Sequence, residues 1–475
     1  MKSNNKSFPN NNVEKEKKNK NIEEEKIEIL NSFEKNPHDY TLYLLALLYD
    51  TKEINFKLFE KNIKIIKQKI YSIIEKKDDK DNKDLYTILS TIYGAFLGDS
   101  MGSFCEFTNF NKNNHFSIFV KSKENIFLPG QVTDDSEMAM SQAYSIMDNP
   151  NYNSLNQDIM FFYYVIWYYS NPLDLGITTQ TALNTIDQKY LAQKLDITSR
   201  NIFSKDIKEY INKSNKKSLA NGLLMRLSPL LTWFYIMNKS YIQETLDSND
   251  SKKFYNLYHK IFIEVEKDSQ LTHPNRENSI AGAILIFIGL CSMCRKYSGK
   301  LIIDLTNTLF EDKHFDSKDE KILKKHFLNI LKDFKKPNFK EDYYFGDLSD
   351  QMGYYLHAFR LTLYFIYIFD DLKGHKVYDE IIYKICDYGG DTDTNAAIVG
   401  MIIGPLIGLE NFDKRKLDIF LNFYSKTRLI YTNVLMYFYA KYLIDISKKP
   451  ISHSNNSKFR FNVFEILFDM TNKEL

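Results

Sequence analysis

The stretch Gly389-Gly390-Asp391-Thr392-Asp393-Thr394-Asn395 places two carboxylates and two hydroxyls directly before an apolar segment with helical spacing. A second string of the same kind, Thr133-Asp134-Asp135-Ser136-Glu137, precedes another such segment. Carboxylate and hydroxyl oxygens are the hard ligands that Mg²⁺ and Mn²⁺ prefer. No cluster of thiols or imidazoles accompanies them, which argues against zinc. The two strings therefore predict two helix starts that together bind one or two divalent ions.

Helix capping is the alternative interpretation of both strings. Asp and Thr side chains accept hydrogen bonds from the free N–H groups at a helix start, and acidic residues there complement the helix dipole. Capping alone would explain one such string. The segment from Asp391 to Thr394, however, concentrates more negative charge than a cap requires, and that charge would repel itself without a cation. We therefore favour a metal site.

The pattern along the rest of the chain indicates an all-α fold. Apolar residues recur at helical spacing in segment after segment, and no regular series of short alternating strands appears. Glycines recur every four residues in two places, at positions 94, 98 and 102 and at positions 400, 404 and 408. Because glycine destabilises a helix by about 1 kcal/mol, its repetition on one side of a helix indicates close backbone approach. Such packing would bring Asp99 and the Asp391 string together.

Composition excludes several classes of function. The chain has 475 residues, and 63 Lys and Arg against 61 Asp and Glu leave a formal net charge of +2. A charge this small provides no global field for nucleic acid or an anionic membrane. Four cysteines do not form a secreted disulfide framework, and Cys291 and Cys294 close an apolar run as expected for buried helix residues. We expect a monomer in the cytoplasm, with a nuclear location left open, since the sequence has no secretory signal and no uncharged apolar run of about 18 residues.

Changes in composition predict four segments. Residues 1–26 are rich in Lys and Asn and are expected to form a disordered, low-complexity tail. Residues 27–84 are predicted to be a helical extension that ends in a charged linker, and residues 85–450 the main domain. Residues 451–475 form a C-terminal segment. Because every motif lies after residue 84, the first two segments are predicted to carry no catalytic group.

Five strings in a fixed order resemble the ADP-ribosylglycohydrolase family. The first is Gly94-Ala95-Phe96-Leu97-Gly98-Asp99-Ser100-Met101-Gly102-Ser103-Phe104-Cys105-Glu106, and the acidic string at residues 133–137 follows it. Two middle strings, Ala220-Asn221-Gly222-Leu223-Leu224-Met225-Arg226-Leu227-Ser228-Pro229-Leu230 and Leu271-Thr272-His273-Pro274-Asn275, are also similar to the family. The fifth spans residues 389–397. The resemblance covers roughly residues 87–445 and implies a compact multi-helix domain with a dinuclear metal site at helix N-termini.

The resemblance also implies a ligand set and a base. The metal ligands that it implies are Thr133, Asp134, Asp135, Asp391, Asp393 and Thr394. They would hold Mg²⁺, with two ions expected and Mn²⁺ as the alternative. Either Asp134 or Asp135 would act as the base towards the attacking water, and the sequence does not choose between them. Asp99 resembles a helix cap or a residue behind the ligands, and we do not expect it to be catalytic.

Residues on the substrate side follow from the same resemblance. Glu106 is implied to gate the metal site or to bond to the ribose, with an exposed loop carboxylate as the alternative. Asn221 and Gly222 are implied to lie along the diphosphate. Arg226 would either bind a phosphate or form a structural ion pair. His273 is implied to contact the ligand, although a lone histidine is more often structural.

The implied activity is Mg²⁺-dependent cleavage at C1″ of the distal ribose, which releases ADP-ribose from a modified protein or a related ADP-ribosyl compound. Two alternatives belong to other classes. One is a catalytically silent ADP-ribose-binding or structural relative, of the kind used in lens crystallins, which would be expected to lose part of the ligand set. The other is a dinuclear phosphoesterase, which would release phosphate. Arginine, serine, O-acetyl and other acceptor linkages are not distinguished by the sequence.

Overall fold

The computed structural model describes residues 54–106, 118–120, 126–149, 151–186, 202–372, 376–448 and 462–475. Within these ranges the regular structure is helical, and the one β-type contact is an isolated bridge between Ala220 and Tyr354. The predicted all-α class is therefore confirmed. The α-helices of the described ranges are α1 (Phe56–Glu75), α2 (Lys83–Gly102), α3 (Asp134–Met147), α4 (Gln157–Tyr169), α5 (Ile177–Leu183), α6 (Lys205–Asn215), α7 (Ser228–Asp247), α8 (Ser251–Ser269), α9 (Arg276–Met293), α10 (Gly299–Glu311), α11 (Lys318–Phe334), α12 (Glu341–Phe345), α13 (Tyr355–Tyr367), α14 (Val377–Tyr388), α15 (Thr392–Ile407), α16 (Lys414–Asn422), α17 (Met436–Ser447) and α18 (Asn462–Asn472).

Short 3₁₀ segments join several of these helices. They span Asn221–Arg226, Phe369–Asp371, Leu409–Asn411, Leu429–Tyr431 and Asn433–Leu435. The first of them leads directly into α7 and carries one of the strings singled out in the sequence.

Helices α2 and α15 cross at the centre of the fold with their backbones in direct contact. A Cβ on Gly98 would lie 2.4 Å from the carbonyl oxygen of Ala396, and one on Gly400 would lie 2.1 Å from the carbonyl oxygen of Gly94. Since real Cβ contacts are longer than 3 Å, only glycine fits at these positions. The same holds for Gly102 against Thr392 and for Gly404 against Ser90. The predicted close approach is confirmed.

Gly408 differs from the other five glycines. It lies just beyond α15 with a φ of +83°, and its N–H donates to the carbonyl of Gly404. A left-handed residue at this position is a common way to end a helix. A Cβ on Gly408 would lie 2.2 Å from the Tyr86 hydroxyl of α2, so this glycine still faces α2, but it ends α15 and is not part of it.

Helix α3 carries the first acidic string into the interior. Thr133 is extended, with φ −106° and ψ −163°, and the helix begins at Asp134. Every residue of α3 is buried, including the acidic residues of its first turn. Helix α15 begins in the same way, directly after Asp391, and Gly389 and Gly390 allow the turn that precedes it with φ values of +66° and +75°.

Helix α9 is long and apolar enough to cross a membrane by composition, with a mean hydropathy of 1.2 over 18 residues. However, 89% of this window is buried inside the protein. It contacts α8, α7 and α15, as expected for a central core helix. Cys291 is fully buried in it, which agrees with the expectation for this cysteine.

The two ends of the described chain meet. Helix α1 buries Phe59, Ile63 and Ile66 against the main core. The fully buried Asn62 donates to the carbonyls of Met470 and Lys473, both at 2.8 Å, at the C-terminal end of α18. Residues 1–53 lie outside the described residues, and so does the predicted tail at 1–26. The described part of the extension thus shares one hydrophobic core with the main domain, and α2 starts at Lys83, inside the predicted linker.

The crossing of α2 and α15 generates a stability prediction. We expect Gly98→Ala to lower the free energy of unfolding by about 1–3 kcal/mol or more, because the added methyl group meets a backbone carbonyl that cannot rotate away. Gly176→Ala is the control, since a Cβ there meets nothing within 4 Å. Urea unfolding followed by circular dichroism measures both. Equal stability of the two variants would show that the crossing adapts.

Candidate active site

The acidic strings of α3 and α15 form one cluster around Asp393. Carboxylate oxygens of Asp99, Asp135 and Asp393 lie within 4.8 Å of one another. Those of Glu106, Asp391 and Asp393 form a second group with the same spacing. Asp393 belongs to both groups, so the cluster has two adjacent lobes joined by one carboxylate.

Asp99 projects from α2 and caps the N-terminus of α3. It accepts from the backbone N–H groups of Thr133 and Ser136, each at 3.1 Å, and from the Ser136 hydroxyl, and the Thr133 hydroxyl lies 2.9 Å from it. These contacts occupy most of its lone pairs, so it fixes where α3 begins rather than offering a free ligand oxygen. The expectation that Asp99 is a cap agrees with this geometry.

Buried oxygens without partners mark both lobes. Asp135 Oδ1 and Glu106 Oε2 have no hydrogen-bond partner within the described part of the protein, although Asp135 is fully buried and Glu106 is 6% exposed. Burial and the neighbouring carboxylates raise the pKa values of Asp135 and Asp393 well above the usual range. For the same reasons the pKa of Glu106 is raised to about 8.

These observations fit bound cations. No described Lys or Arg forms an ion pair with Glu106, Asp135, Asp391 or Asp393. An isolated buried carboxylate is strongly unfavourable unless it is paired or coordinates a metal. The two groups contain only carboxylates, which suits Mg²⁺ or Mn²⁺ and not a thiol-preferring metal.

The two predicted threonine ligands lie at the cluster. Thr133 Oγ1 is 2.9 Å from both Asp99 Oδ1 and Asp135 Oδ2, so its single proton bonds to one of these carboxylates. Thr394 is buried, and its N–H donates to Asp393 Oδ1 at 2.8 Å. Asp134 lies outside both groups and is 8% exposed. The ligand roles of these three residues stay predictions.

Glu137, the last residue of the first string, is neutralised separately. Arg428 donates to both of its carboxylate oxygens, and Trp167 Nε1 donates to Oε2 at 2.9 Å. This ion pair removes Glu137 from the set of uncompensated charges.

Asn221 and Gly222 begin the 3₁₀ segment beside the cluster. The Asn221 side-chain amide donates to Asp391 Oδ2 at 2.7 Å, and its backbone N–H donates to the Gly353 carbonyl at 2.9 Å. Gly222 lies against the His273 ring, where a Cβ would be 2.7 Å from Cε1. The sequence interpretation placed Asn221 along the diphosphate, whereas its amide bonds to the acidic cluster.

The Arg226 side chain is fully engaged inside the protein. Its guanidinium is fully buried and donates twice to Asp268, at 3.1 and 3.0 Å. The other N–H groups face the Gly222 carbonyl at 3.0 Å, the Thr272 hydroxyl at 2.7 Å and the Met138 sulfur at 3.9 Å. All five donors therefore have partners, and none remains for a phosphate. Of the two roles that the sequence left open for Arg226, the structure shows the ion pair, and the substrate-binding role has no free donor.

His273 is held as a neutral ring by the same network. Thr272 Oγ1 accepts from Arg226 and lies 2.8 Å from His273 Nδ1, so the Thr272 hydroxyl links the ring to the guanidinium. Burial and the Arg226 charge lower the pKa of His273 well below its usual range. With 1% of its surface exposed, His273 supports the Gly222 backbone, which argues against the predicted direct contact with a ligand.

The sequence interpretation missed Asp174. This partly buried residue precedes α5, and its charge helps to raise the pKa values of Glu106 and Asp134. Its only hydrogen bond within the described residues comes from its neighbour, the Leu175 N–H, at 2.7 Å. A single Asp in a loop has no local pattern that would have distinguished it from a surface residue.

Comparison with known proteins relates the chain to one family. The model of the family described as ADP-ribosylglycohydrolase matches residues 81–430. A protein of Acanthamoeba polyphaga mimivirus named as an ADP-ribosyl glycohydrolase is 29% identical over 327 residues, which cover 67% of this chain and 86% of the relative. A solved structure titled "ADP-ribosylglycohydrolase-related protein complex" is 17% identical with a TM-score of 0.49, and the match covers 77% of this chain and 99% of the other.

The raised pKa values predict how stability depends on pH without metal. The pKa values of Asp99 and Glu106 are about 7 and about 8 in the folded protein, chiefly because of burial, and near 4 in an unfolded chain. At pH values between about 4 and 8 the folded state therefore binds more protons than the unfolded state. The free energy of unfolding of the EDTA-treated protein should therefore fall as pH rises from about 5 to 8, by about 1.4 kcal/mol per pH unit for each extra proton. Urea unfolding at several pH values measures the slope. Asp393→Asn should flatten it, and a slope of opposite sign would contradict the prediction.

The Arg226 network predicts a different phenotype from that of a ligand-binding residue. We expect Arg226→Met to lower the free energy of unfolding by about 3–5 kcal/mol, because Asp268 would be left as a buried, unpaired charge. Arg276→Met is the control, since its side chain is 50% exposed and its partner Glu266 lies 3.4 Å away. That surface pair should contribute less than about 1 kcal/mol. Chemical denaturation measures both variants, and equal losses would contradict the structural role.

Proposed function

Because the chain belongs to the ADP-ribosylglycohydrolase family and is a glycosidase-type hydrolase, we propose that it releases ADP-ribose from a modified protein or a small ADP-ribosyl compound in a Mg²⁺-dependent reaction. In this reaction water adds to C1″ of the distal ribose, and the bond from C1″ to the acceptor breaks. Mn²⁺ would replace Mg²⁺ at the same oxygen ligands.

The observation that carries the metal dependence is the position of Asp393 in two carboxylate groups at once. Asp135 would hold one cation with Asp393, and Glu106 and Asp391 would hold a second with the same residue. Divalent ions at such a site would lower the pKa of a bound water molecule and would bind the two neighbouring hydroxyls of the ribose. Helix α3, capped by Asp99, and helix α15 keep the carboxylates in place before any ion binds.

Asp134 is the better candidate for the base. Asp135 is fully buried and hydrogen-bonded to Thr133, whereas Asp134 is 8% exposed and lies outside both carboxylate groups. Burial and the charges of Asp174 and Asp391 raise the pKa of Asp134 well above the usual range. A carboxylate with a raised pKa that belongs to neither metal group can take the proton of the attacking water.

Asp174 adds negative charge beside Asp134 and Glu106. It lies close enough to Asp134 and Glu106 to affect both pKa values, and it is partly exposed. We assign it to stabilising positive charge that develops at the ribose and the leaving group in an oxocarbenium-like transition state.

The alternatives make different demands on the same residues. A silent binding or structural relative would be expected to lose ligands, but Asp134, Asp135, Asp391 and Asp393 are all present. A phosphoesterase would bind a phosphate group of its substrate at the acidic cluster and would release inorganic phosphate.

Incubation with defined substrates tests the proposal. The purified protein is incubated with Mg²⁺ and with arginine-, serine- and O-acetyl-linked ADP-ribose, and free ADP-ribose and phosphate are measured. Release of ADP-ribose from at least one linkage, lost in EDTA and restored by Mg²⁺, is expected. Release of phosphate alone would favour the phosphoesterase, and no release from any linkage would favour a silent relative.

Asp393→Asn and Asp134→Asn are expected to abolish hydrolysis without unfolding the protein. The first removes the charge shared by both groups, and the second removes the base. Divalent ions should raise the Tm of the wild type, because they bind only the assembled site, and should not raise that of Asp393→Asn. Asp304→Asn, at an exposed position on α10, is the control and should behave as the wild type. Full activity of either site variant at limiting Mg²⁺ would contradict the assignment.

A further inference from the structure

We propose that Asn221 is a positioning residue for the metal site and acts through Asp391. The inference rests on the proposed function, since it assumes that Asp391 binds a cation. The observation behind it is the hydrogen bond from Asn221 Nδ2 to Asp391 Oδ2, at 2.7 Å, between residues 170 positions apart.

This hydrogen bond determines how Asp391 presents its carboxylate. Asp391 is the N-cap of α15, but its side chain makes no capping hydrogen bond to the helix. Within the described residues the amide of Asn221 is therefore the hydrogen-bond partner that fixes its rotation. Oδ2 is engaged by the amide, which leaves Oδ1 and the remaining lone pair for the group formed with Glu106 and Asp393. Partners of this kind orient ligands and are needed for full metal affinity.

Asn221 is itself rigidly held. Its backbone N–H donates to the Gly353 carbonyl at 2.9 Å, and the next residue but one in the loop, Tyr355, donates to the Leu219 carbonyl at 3.0 Å. On the other side the buried Arg226 donates to the Gly222 carbonyl at 3.0 Å. A side chain that is 6% exposed and fixed on both sides has little freedom to turn towards a ligand.

Arg226, which is paired with the buried Asp268, also holds this turn. Its contact with the Gly222 carbonyl links the Asn221 turn to the core, so the rigidity of the core reaches Asp391 through two hydrogen bonds. The backbone N–H of Asn221 is bonded to Gly353 and is therefore not available to a ligand.

A double-mutant cycle read by calorimetry tests the inference. Titration of the protein with Mn²⁺ and Mg²⁺ should show that Asn221→Ala weakens divalent-ion binding by about 10–100-fold. In an Asp391→Asn background the same substitution should have almost no further effect, because its partner has gone. Asn62→Ala is the control, since Asn62 is also a buried amide with two hydrogen bonds but lies at the α1–α18 contact. Its ion affinity should equal that of the wild type.

Each outcome decides the question. Unchanged ion affinity in a folded Asn221→Ala protein overturns the inference, and so does an equal loss in the Asp391→Asn background. If Asn221→Ala weakens only the binding of ADP-ribose, measured without metal, Asn221 contacts the diphosphate and the inference is wrong. If Asn221→Ala does not fold, Asn221→Ser, which keeps a small polar side chain at a helix start, should show the same weakened ion binding. A wild type that binds no divalent ion would refute the proposed metal site itself, a failure that is separate from that of Asn221.

Discussion

The contact between the backbones of α2 and α15 is the constraint on which the site depends. Glycines at positions 94, 98 and 400 let the two helices approach until one backbone touches the other. That approach sets Asp99, near the end of α2, beside the acidic start of α15 and against the first turn of α3. Three segments that are distant in sequence thereby share one small volume, and no flexible loop is needed to bring their carboxylates together.

Local sequence predicts this frame well because its causes are local. A glycine every four residues lies on one side of a helix, and paired Asp residues before an apolar run lie at a helix start. Gly408 shows the limit of the argument, because the end of α15 depends on the left-handed conformation there and not on spacing. The cluster around Asp393 was predictable from its residue types, whereas the capping of α3 by Asp99 needed the relative positions of α2 and α3.

Charged side chains in the interior were harder to predict, since their partners lie far along the chain. Arg226 is paired with Asp268, 42 residues away, and Arg428 with Glu137, 291 residues away. Sequence motifs group these residues with their neighbours, but burial decides whether a charge meets a ligand or an opposite charge. The fold neutralises the carboxylates that frame the site and leaves those of its centre without a described counter-charge. The negative potential is therefore focused where cations would bind.

The contact between α1 and α18 constrains the order in which the chain folds during synthesis. The acceptors of the Asn62 amide, the carbonyls of Met470 and Lys473, are made 408 and 411 residues after it. At a translation rate of about 5–20 residues per second, the Asn62 amide waits about 20–80 s for these acceptors. During that interval the face of α1 that α18 covers is available to other surfaces, including that of a neighbouring nascent chain. The contact between the two helices therefore closes only after almost all of the intervening core has been made.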